Sequence, residues 1–317
     1  MSKKHDLVTV GILCYNAEAS ILKAIKSALS QTYKNIEIIV VDDCSIDNSV
    51  EIIKKSTFYK DIKLFLNKKN QGPGFSRNVV LKNAKGSFIC FMDDDDISDK
   101  KRIEVQINSI FNEGYDKNNC VLSICNIYRE YPSGYIQNMK VFGTYFRKPS
   151  SNEMIDFLLF NNKKKGIDYG FGCPTCAMLI SKKALNMIGG FDDSLRRVED
   201  MDLTLRLCQI KCYLVSSKET FVNQFSTSGD DKSPLKNLKA EIKIIKKNKD
   251  YLRKKHIYFY SRLWPYLRFY HFNKNYFYLL LILIVLIIIN PVRTIKHFSI
   301  SSIRRIKHER KISSLIK

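Results

Sequence analysis

Apolar runs of strand length alternate, over the first hundred residues, with segments whose apolar side chains recur every three or four positions. Leu7-Val8-Thr9-Val10-Gly11-Ile12-Leu13 is almost continuously apolar, the pattern of a strand buried on both faces. After a turn at Tyr15-Asn16, the segment from Ala19 to Gln31 places Ile21, Leu22, Ile25, Ala28 and Leu29 at helical spacing. Residues from Ile36 to Val41 form a second apolar, β-branched run that ends in Asp42-Asp43. Residues from Asn48 to Lys55 read as a helix and those from Ile62 to Leu66 as a short strand. Asn70-Gln71-Gly72-Pro73-Gly74 is a loop, the segment from Phe75 to Asn83 a helix carrying Arg77, and that from Ser87 to Met92 a further strand. This β-α-β-α-β-α-β order predicts an α/β domain with a mostly parallel sheet and helices on both faces.

The stretch over 97–170 is less regular. A helix is expected from Lys100 to Phe111, and strands from Val121 to Arg129 and from Gly134 to Val141 about a Tyr131-Pro132-Ser133-Gly134 turn. A helical segment follows from Met154 to Phe160. Gly189-Gly190-Phe191-Asp192-Asp193 is a turn, and Arg197-Val198-Glu199-Asp200-Met201-Asp202-Leu203 leads into a helix running through Leu207.

Charge changes this picture in two places. The first is a run of four carboxylates, Asp93 to Asp96, directly after an apolar strand. Packed carboxylates repel and raise one another's pKa unless a cation neutralises them. Oxygen donors select Mg²⁺ or Mn²⁺, which commonly carry phosphates. Two readings fit the run: a divalent metal holding a diphosphate, or a solvated acidic loop. Position favours the first, because ligands bind beyond the carboxyl ends of strands in such sheets, and Asp42, Asp43 and Asp93 to Asp96 all lie at those ends. No Gly-x-Gly-x-x-Gly follows the first strand, which argues against dinucleotide binding.

The second is the tail. The 317-residue chain has a net charge of +22, but residues 1–231 carry 32 Lys and Arg against 28 Asp and Glu, whereas residues 232–317 carry 21 against 3. A near-neutral domain over 1–231 is therefore expected to precede a basic helical tail over 232–317. The tail holds an uncharged segment over 276–289, from Tyr276 to Ile289. Basic flanks around an apolar run favour an anionic membrane surface over nucleic acid as the partner. No secretory signal is read at the start, and nine cysteines without a disulfide framework suggest a reducing cytosol. A spanning helix needs about 20 apolar residues. A single crossing would also export the cations that follow residue 292, against the positive-inside tendency. The expectation is thus attachment to the cytoplasmic side of the cell membrane, peripheral or monotopic, with a single span or a buried core helix as the alternatives.

These pieces, in this order, resemble the family 2 glycosyltransferases, bacterial enzymes of the GT-A fold. The resemblance covers roughly residues 6–228. It rests on Val8 to Asn16, on Ser30-Gln31-Thr32-Tyr33, on Val40-Val41-Asp42-Asp43, on Asn70-Gln71-Gly72 with Ser76-Arg77-Asn78, on Lys85 through Asp96, and on Gly189-Gly190-Phe191-Asp192 with Glu199-Asp200-x-Asp202-Leu203. It implies a Rossmann-like nucleotide-sugar half over about 1–97 and an acceptor half over about 98–231. It further implies an inverting transfer from a nucleotide-diphosphate sugar, with UDP the expected nucleotide, to a saccharide or lipid-linked acceptor in surface polysaccharide biosynthesis. Tyr15 would stack on the base, Asp42 and Asp43 would bond its edge, and Arg77 would help hold it. Asp93 and Asp95 would form the Asp-x-Asp, Asp95 on Mg²⁺ or Mn²⁺ and Asp93 nearer the sugar, with Asp94 on the donor side. Asp200 would be the general base, flanked on the acceptor side by Glu199 and Asp202.

Each assignment has a structural alternative. Glu199, Asp200 and Asp202 sit at a helix start, where carboxylates also cap. Tyr15 and Arg77 are equally at home in core packing and ion pairs, and Asp94 and Asp96 in solvent. Many relatives place a His near the strand over 220–226, where this chain has Thr220-Phe221-Val222-Asn223-Gln224-Phe225-Ser226; Asn223 or Gln224 would take that role. Cys173, Cys176, Cys208 and Cys212 could be read as a zinc site, but buried cysteine also serves as a small hydrophobe. Two rival functions stand beside the transferase: a membrane-held scaffold with a degenerate fold, and a nucleotidyltransferase, which lacks support because its glycine-rich loop is missing.

Overall fold

The computed structural model describes residues 6–226 and 233–299. The chain divides into two compact units, one built from the residues up to 226 less the segments 131–135 and 156–162, the other from those two segments and the residues that follow 226.

Nine strands of the first unit, among the described residues, form one sheet in the order β3-β2-β1-β4-β8-β6-β9-β5, with β7 beside β6. They are β1 (Val8–Cys14), β2 (Ile36–Asp42), β3 (Lys63–Leu66), β4 (Phe88–Met92), β5 (Ile97–Ser98), β6 (Val121–Glu130), β7 (Ile136–Met139), β8 (Met178–Ser181) and β9 (Tyr213–Phe225). The helices are α1 (Ile21–Leu29), α2 (Ser49–Lys55), α3 (Pro73–Asn83), α4 (Arg102–Asn112), α5 (Ser151–Phe160), α6 (Lys182–Met187) and α7 (Glu199–Gln209). Pairing is parallel across β3-β2-β1-β4 and between β6 and β9, and antiparallel in β4–β8, β6–β8, β6–β7 and β5–β9. The sheet is therefore mixed rather than mostly parallel. The difference comes from β5 and β7, and above all from β8, a four-residue buried strand too short to show periodicity, which pairs antiparallel with both β4 and β6 and so joins the two halves.

Strand period and helix period explain how the layers close. Val8, Val10, Ile12 and Cys14 of β1, Ile38 and Val40 of β2, and Phe88, Cys90 and Met92 of β4 point to one face. There they meet Ile21, Ile25 and Ala28 of α1, Ile53 of α2, and Ile103, Ile107 and Ile110 of α4. On the opposite face α3 lies so close that a Cβ at Gly11 would fall 2.5 Å from Val80 Cγ1. That approach needs glycine in the middle of β1.

The part of the second unit that follows residue 226 is helical among its described residues: α8 (Pro234–Lys247), α9 (Lys249–Lys254), α10 (Tyr258–Phe272), α11 (Tyr276–Ile289) and helical turns over 291–299. Ser233 caps α8, its side chain accepting from the Lys236 N–H, with Pro234 at the first helical position. Arg268 of α10 pairs with Glu241 of α8. Tyr270 and Tyr278 stack across the α10–α11 turn at 5.2 Å.

Candidate active site

The carboxyl ends of β1, β2 and β4 are tied together by their own loops. The Tyr15 N–H donates to Asp94 Oδ2 at 2.8 Å, joining the end of β1 to that of β4. The Asn16 N–H donates to Ser45 Oγ, and the Ile46 N–H returns a bond to Asn16 Oδ1, both at 2.9 Å. Asp42 accepts the Ser45 N–H at 3.0 Å and so closes the turn after β2. Tyr15, with its N–H held and its residue 47% exposed, presents an aromatic ring on this ledge. Asp43 is buried and accepts from Asn67 Nδ2 at 2.8 Å and from the Gln71 and Gly72 N–H groups at 3.0 and 2.7 Å. Its carboxylate thus shapes the 67–72 loop beside the ledge.

Arg77 lies where the two halves of the sheet meet. It is 3% exposed, donating through Nη2 to Asp93 Oδ1 at 3.0 Å and through Nη1 to Glu199 Oε1 at 2.8 Å. The ring of Phe191 packs 5.4 Å from its guanidinium. Both terminal nitrogens are committed to carboxylates, so of the roles open to Arg77 the ion pair is the one observed. It holds the acidic end of β4 against the start of α7. Asn78, next in α3, grips the turn before α7: Nδ2 donates to Phe191 O at 2.9 Å and Oδ1 accepts the Phe191 N–H at 2.8 Å. A Cβ at Gly190, whose φ is +76°, would sit 2.4 Å from that Oδ1. The sequence blocks around residues 77 and 190 are thus two sides of one contact.

The acidic run divides by environment. Asp93, Asp94 and Asp95 are half-buried and Asp96 is buried. Burial, reinforced by the Asp95 and Asp93 charges and opposed by the Tyr15 N–H, pushes the Asp94 carboxyl up to about 7. Burial and then the Asp93 and Asp95 charges hold Asp96 well above the usual carboxylate range. The Asp96 oxygens have no nitrogen or hydroxyl donor, only the Cys176 thiol beside them. Oxygens of Asp93 and Asp96 and the sulfur of Cys176 all lie within 4.8 Å of one another. Buried carboxylate oxygens bonded only by a thiol, beside further carboxylates, fit a divalent cation held by oxygen ligands. Asp93 and Asp96 are the pair that converges, and Asp95 lies on the same turn. Among the described residues the four cysteines 173, 176, 208 and 212 form no such group; burial raises the thiol pKa of each.

The start of α7 is built on a strained residue. Val198 sits at φ 55°, ψ 25°, a left-handed conformation that a β-branched residue rarely adopts. Such strain, worth about 1–3 kcal/mol, persists where surrounding contacts enforce it. It precedes Glu199, which pairs with Arg77, and Asp200, which is half-buried, with Oδ1 accepting the Met201 N–H at 2.7 Å. Burial, then the Glu199 charge, raises the Asp200 carboxyl to about 6 despite the pull of Met201 N–H, Arg77 and Arg197. Asp202 is buried and paired with Arg206 Nε at 2.7 Å, a structural contact within α7.

Two arginines escaped the sequence reading. Arg102 is fully buried beneath the acidic run, donating to Phe91 O, Met178 O and Gln106 Oε1 at 3.1–3.3 Å. In an amphipathic helix pattern an arginine reads as surface, so nothing marked it. Arg129, at the end of β6, donates through Nε to Gln224 Oε1 at 2.7 Å, and Gln224 Nε2 reaches Cys176 Sγ at 3.4 Å. Of the two candidates on β9, Gln224 therefore faces the acidic cluster while Asn223 is exposed. A recess of about 630 Å³ lined by Ser87, Lys117, Asn118, Lys182 and Lys183 lies at the amino end of β4, away from all these groups.

Comparison with known proteins places this geometry in a class. The sequence model described as Glycosyl transferase family 2 matches residues 9–185, and the chain belongs to that family. An Escherichia coli protein named UDP-Glc:alpha-D-GlcNAc-diphosphoundecaprenol beta-1,3-glucosyltransferase WfaP is 31% identical over 204 residues, 64% of this chain and 69% of that protein. An uncharacterized glycosyltransferase of Haemophilus influenzae is 42% identical over 104 residues, 32% of this chain and 41% of that protein. One of Rickettsia typhi is 36% identical over 208 residues, 64% of this chain and 59% of that protein. The match thus spans less than two thirds of these last two relatives. The crystal structure of S. aureus TarS 1–349 superposes with a TM-score of 0.60 at 20% identity, over 84% of this chain and 73% of that one, which shows a shared GT-A fold.

Proposed function

We propose that the chain is an inverting glycosyltransferase that moves a sugar from a UDP-linked donor to a saccharide or lipid-linked acceptor in surface polysaccharide biosynthesis. The observation that carries this reading is the Arg77 bridge, which brings the carboxylates after β4 and the Glu199-Asp200 pair of α7 to one place. TarS 1–349 has been crystallised with UDP and with UDP-GlcNAc, and the name of WfaP specifies UDP-Glc and a diphosphoundecaprenol-linked GlcNAc; both support the donor class, and the latter the acceptor class.

Tyr15 offers its ring to the base, with Asp42 and Asp43 at the ledge beneath it. Asp93, Asp95 and Asp96 would hold Mg²⁺ or Mn²⁺, whose positive charge would offset that developing on the departing diphosphate. Asp200 takes the proton of the acceptor hydroxyl as its oxygen bonds to the anomeric carbon, and the bond to UDP breaks with its electron pair leaving on the phosphate oxygen. A carboxyl raised to about 6 is still ionised at neutral pH and is a stronger base than an ordinary aspartate. The test is UDP release from a panel of UDP-sugars without acceptor. Slow release with one or more sugars in Mg²⁺ or Mn²⁺, abolished by EDTA, is expected. No release from any donor, with or without added saccharide acceptors, would favour a degenerate scaffold instead.

A further inference from the structure

The second unit carries a surface that its own fold leaves uncovered. A helix on a globular domain buries an apolar stripe and shows a polar face. α11 has no polar face: all fourteen residues from Tyr276 to Ile289 are uncharged, and Leu286 alone is buried. Phe277, Leu281, Ile284 and Ile288 run along one side at helical spacing and are 68%, 44%, 47% and 76% exposed. Contiguous apolar surface of this extent marks an interaction site rather than ordinary exposure.

Charge decides the occupant. Lys274 precedes the helix and Lys296 follows it, both exposed, and the aromatic residues Phe272, Tyr276, Phe277 and Tyr278 crowd the Lys274 end. Residues 232–317 hold 21 Lys and Arg against 3 Asp and Glu. A second copy of the chain would bring like charge to like charge around the apolar contact. An anionic lipid surface supplies hydrocarbon for the helix and opposite charge for its flanks, and it accommodates aromatic rings at the headgroup level.

Length sets the depth. Fourteen residues rise about 21 Å, short of the roughly 30 Å hydrocarbon core, and no helix among the described residues is long and apolar enough to cross a membrane. A helix standing across the bilayer would also draw one cationic end into hydrocarbon. We infer that α11 lies in the plane of one leaflet of an anionic bilayer, with the cations at both ends at the headgroups. That leaflet is the cytosolic one if the donor is a nucleotide sugar, which rests on the proposed function; the docking itself does not.

The test is flotation of the full chain with large unilamellar vesicles of phosphatidylcholine, with or without phosphatidylglycerol. Binding should be at least about tenfold tighter to the vesicles containing phosphatidylglycerol and should weaken with salt. Leu281→Glu with Ile284→Glu changes two exposed positions, so the unchanged thermal transition and UDP affinity expected of it would report an intact fold. That variant should lose at least about tenfold in partitioning. Equal partitioning of variant and parent overturns the inference. So does an absence of flotation, or a lipid-free dimer in light scattering that dissociates in the variant; that last result would assign α11 to self-association.

Discussion

Asp200 and Asp94 are both carboxylates lifted above their ordinary range by burial, yet their neighbours separate their roles. Asp94 is surrounded by Asp93 and Asp95 and anchored by the Tyr15 N–H, on the side that the proposed function gives to the donor. Asp200 lies at the other end of the Arg77 bridge, near one like charge, Glu199, that is itself paired. A general base must be ionised to act. With metal and donor saturating, kcat should therefore be flat above about pH 6 and fall tenfold per unit below it. Asp200→Asn should retain only about 10⁻²–10⁻⁴ of the turnover, and its residue of activity should lack the limb near pH 6. A limb at the same pH in the Asn variant would assign the titration to another group.

At the scale of elements, the parts legible in the sequence were those whose pattern repeats. β1, β2, β4, α1 and α3 lie within a residue or two of where the sequence pattern placed them, because the strands are almost continuous apolar runs bounded by polar turns and α1 repeats its apolar positions at helical spacing. β8 was not legible: a four-residue apolar run is too short to tell a strand from the start of a helix, and its antiparallel pairing depends on partners far along the chain. The site was legible as blocks and illegible as contacts. Asp93, Arg77 and Glu199 each stood out, but nothing in their spacing says that one guanidinium joins the two carboxylates. Arg102 stayed hidden because burial of a cation reverses the usual meaning of its residue type, and Arg129 because its partner Gln224 lies far along the chain. The left-handed Val198 was equally invisible, since no glycine or asparagine marks it. If its strain serves to aim Glu199 and Asp200, Val198→Gly should raise the melting temperature, where a glycine in an ordinary helix start would leave it unchanged or lower it, while kcat falls several-fold through loss of rigidity. A lower melting temperature with unchanged kcat would mean that the conformation is not strained in this setting.

For the molecule as a whole, the acidic end of β4 is a built-in source of instability that the proposed cation would relieve. The Asp94 carboxyl, at about 7 in the folded protein against 3.8 ordinarily, keeps a proton between about pH 4 and 7 that the unfolded chain has released. Its contribution therefore favours folding at low pH and is lost as pH rises through that window. A divalent cation should stabilise most where these carboxylates are ionised. Saturating Mn²⁺ at about a hundred times its dissociation constant adds about 2.7 kcal/mol, which is expected to raise the melting temperature by roughly 5–10 °C at pH 7.5 and by much less at pH 5. Equal shifts at both pH values would place the ion elsewhere.

The Arg77 bridge makes one demand that a single pair of variants can meet. On the proposed function it divides the site into a donor side, which would bind metal and nucleotide, and an acceptor side, which would take a proton. Calorimetric titration of UDP in the presence and absence of Mn²⁺, for Asp95→Asn and Asp200→Asn beside the parent chain, measures that division directly. The metal-dependent gain in UDP affinity is expected to persist in Asp200→Asn, whose turnover is nevertheless lost, and to disappear in Asp95→Asn. If Asp200→Asn loses UDP affinity as far as Asp95→Asn does, or if Asp95→Asn keeps the full metal-dependent gain, the two-sided site is contradicted.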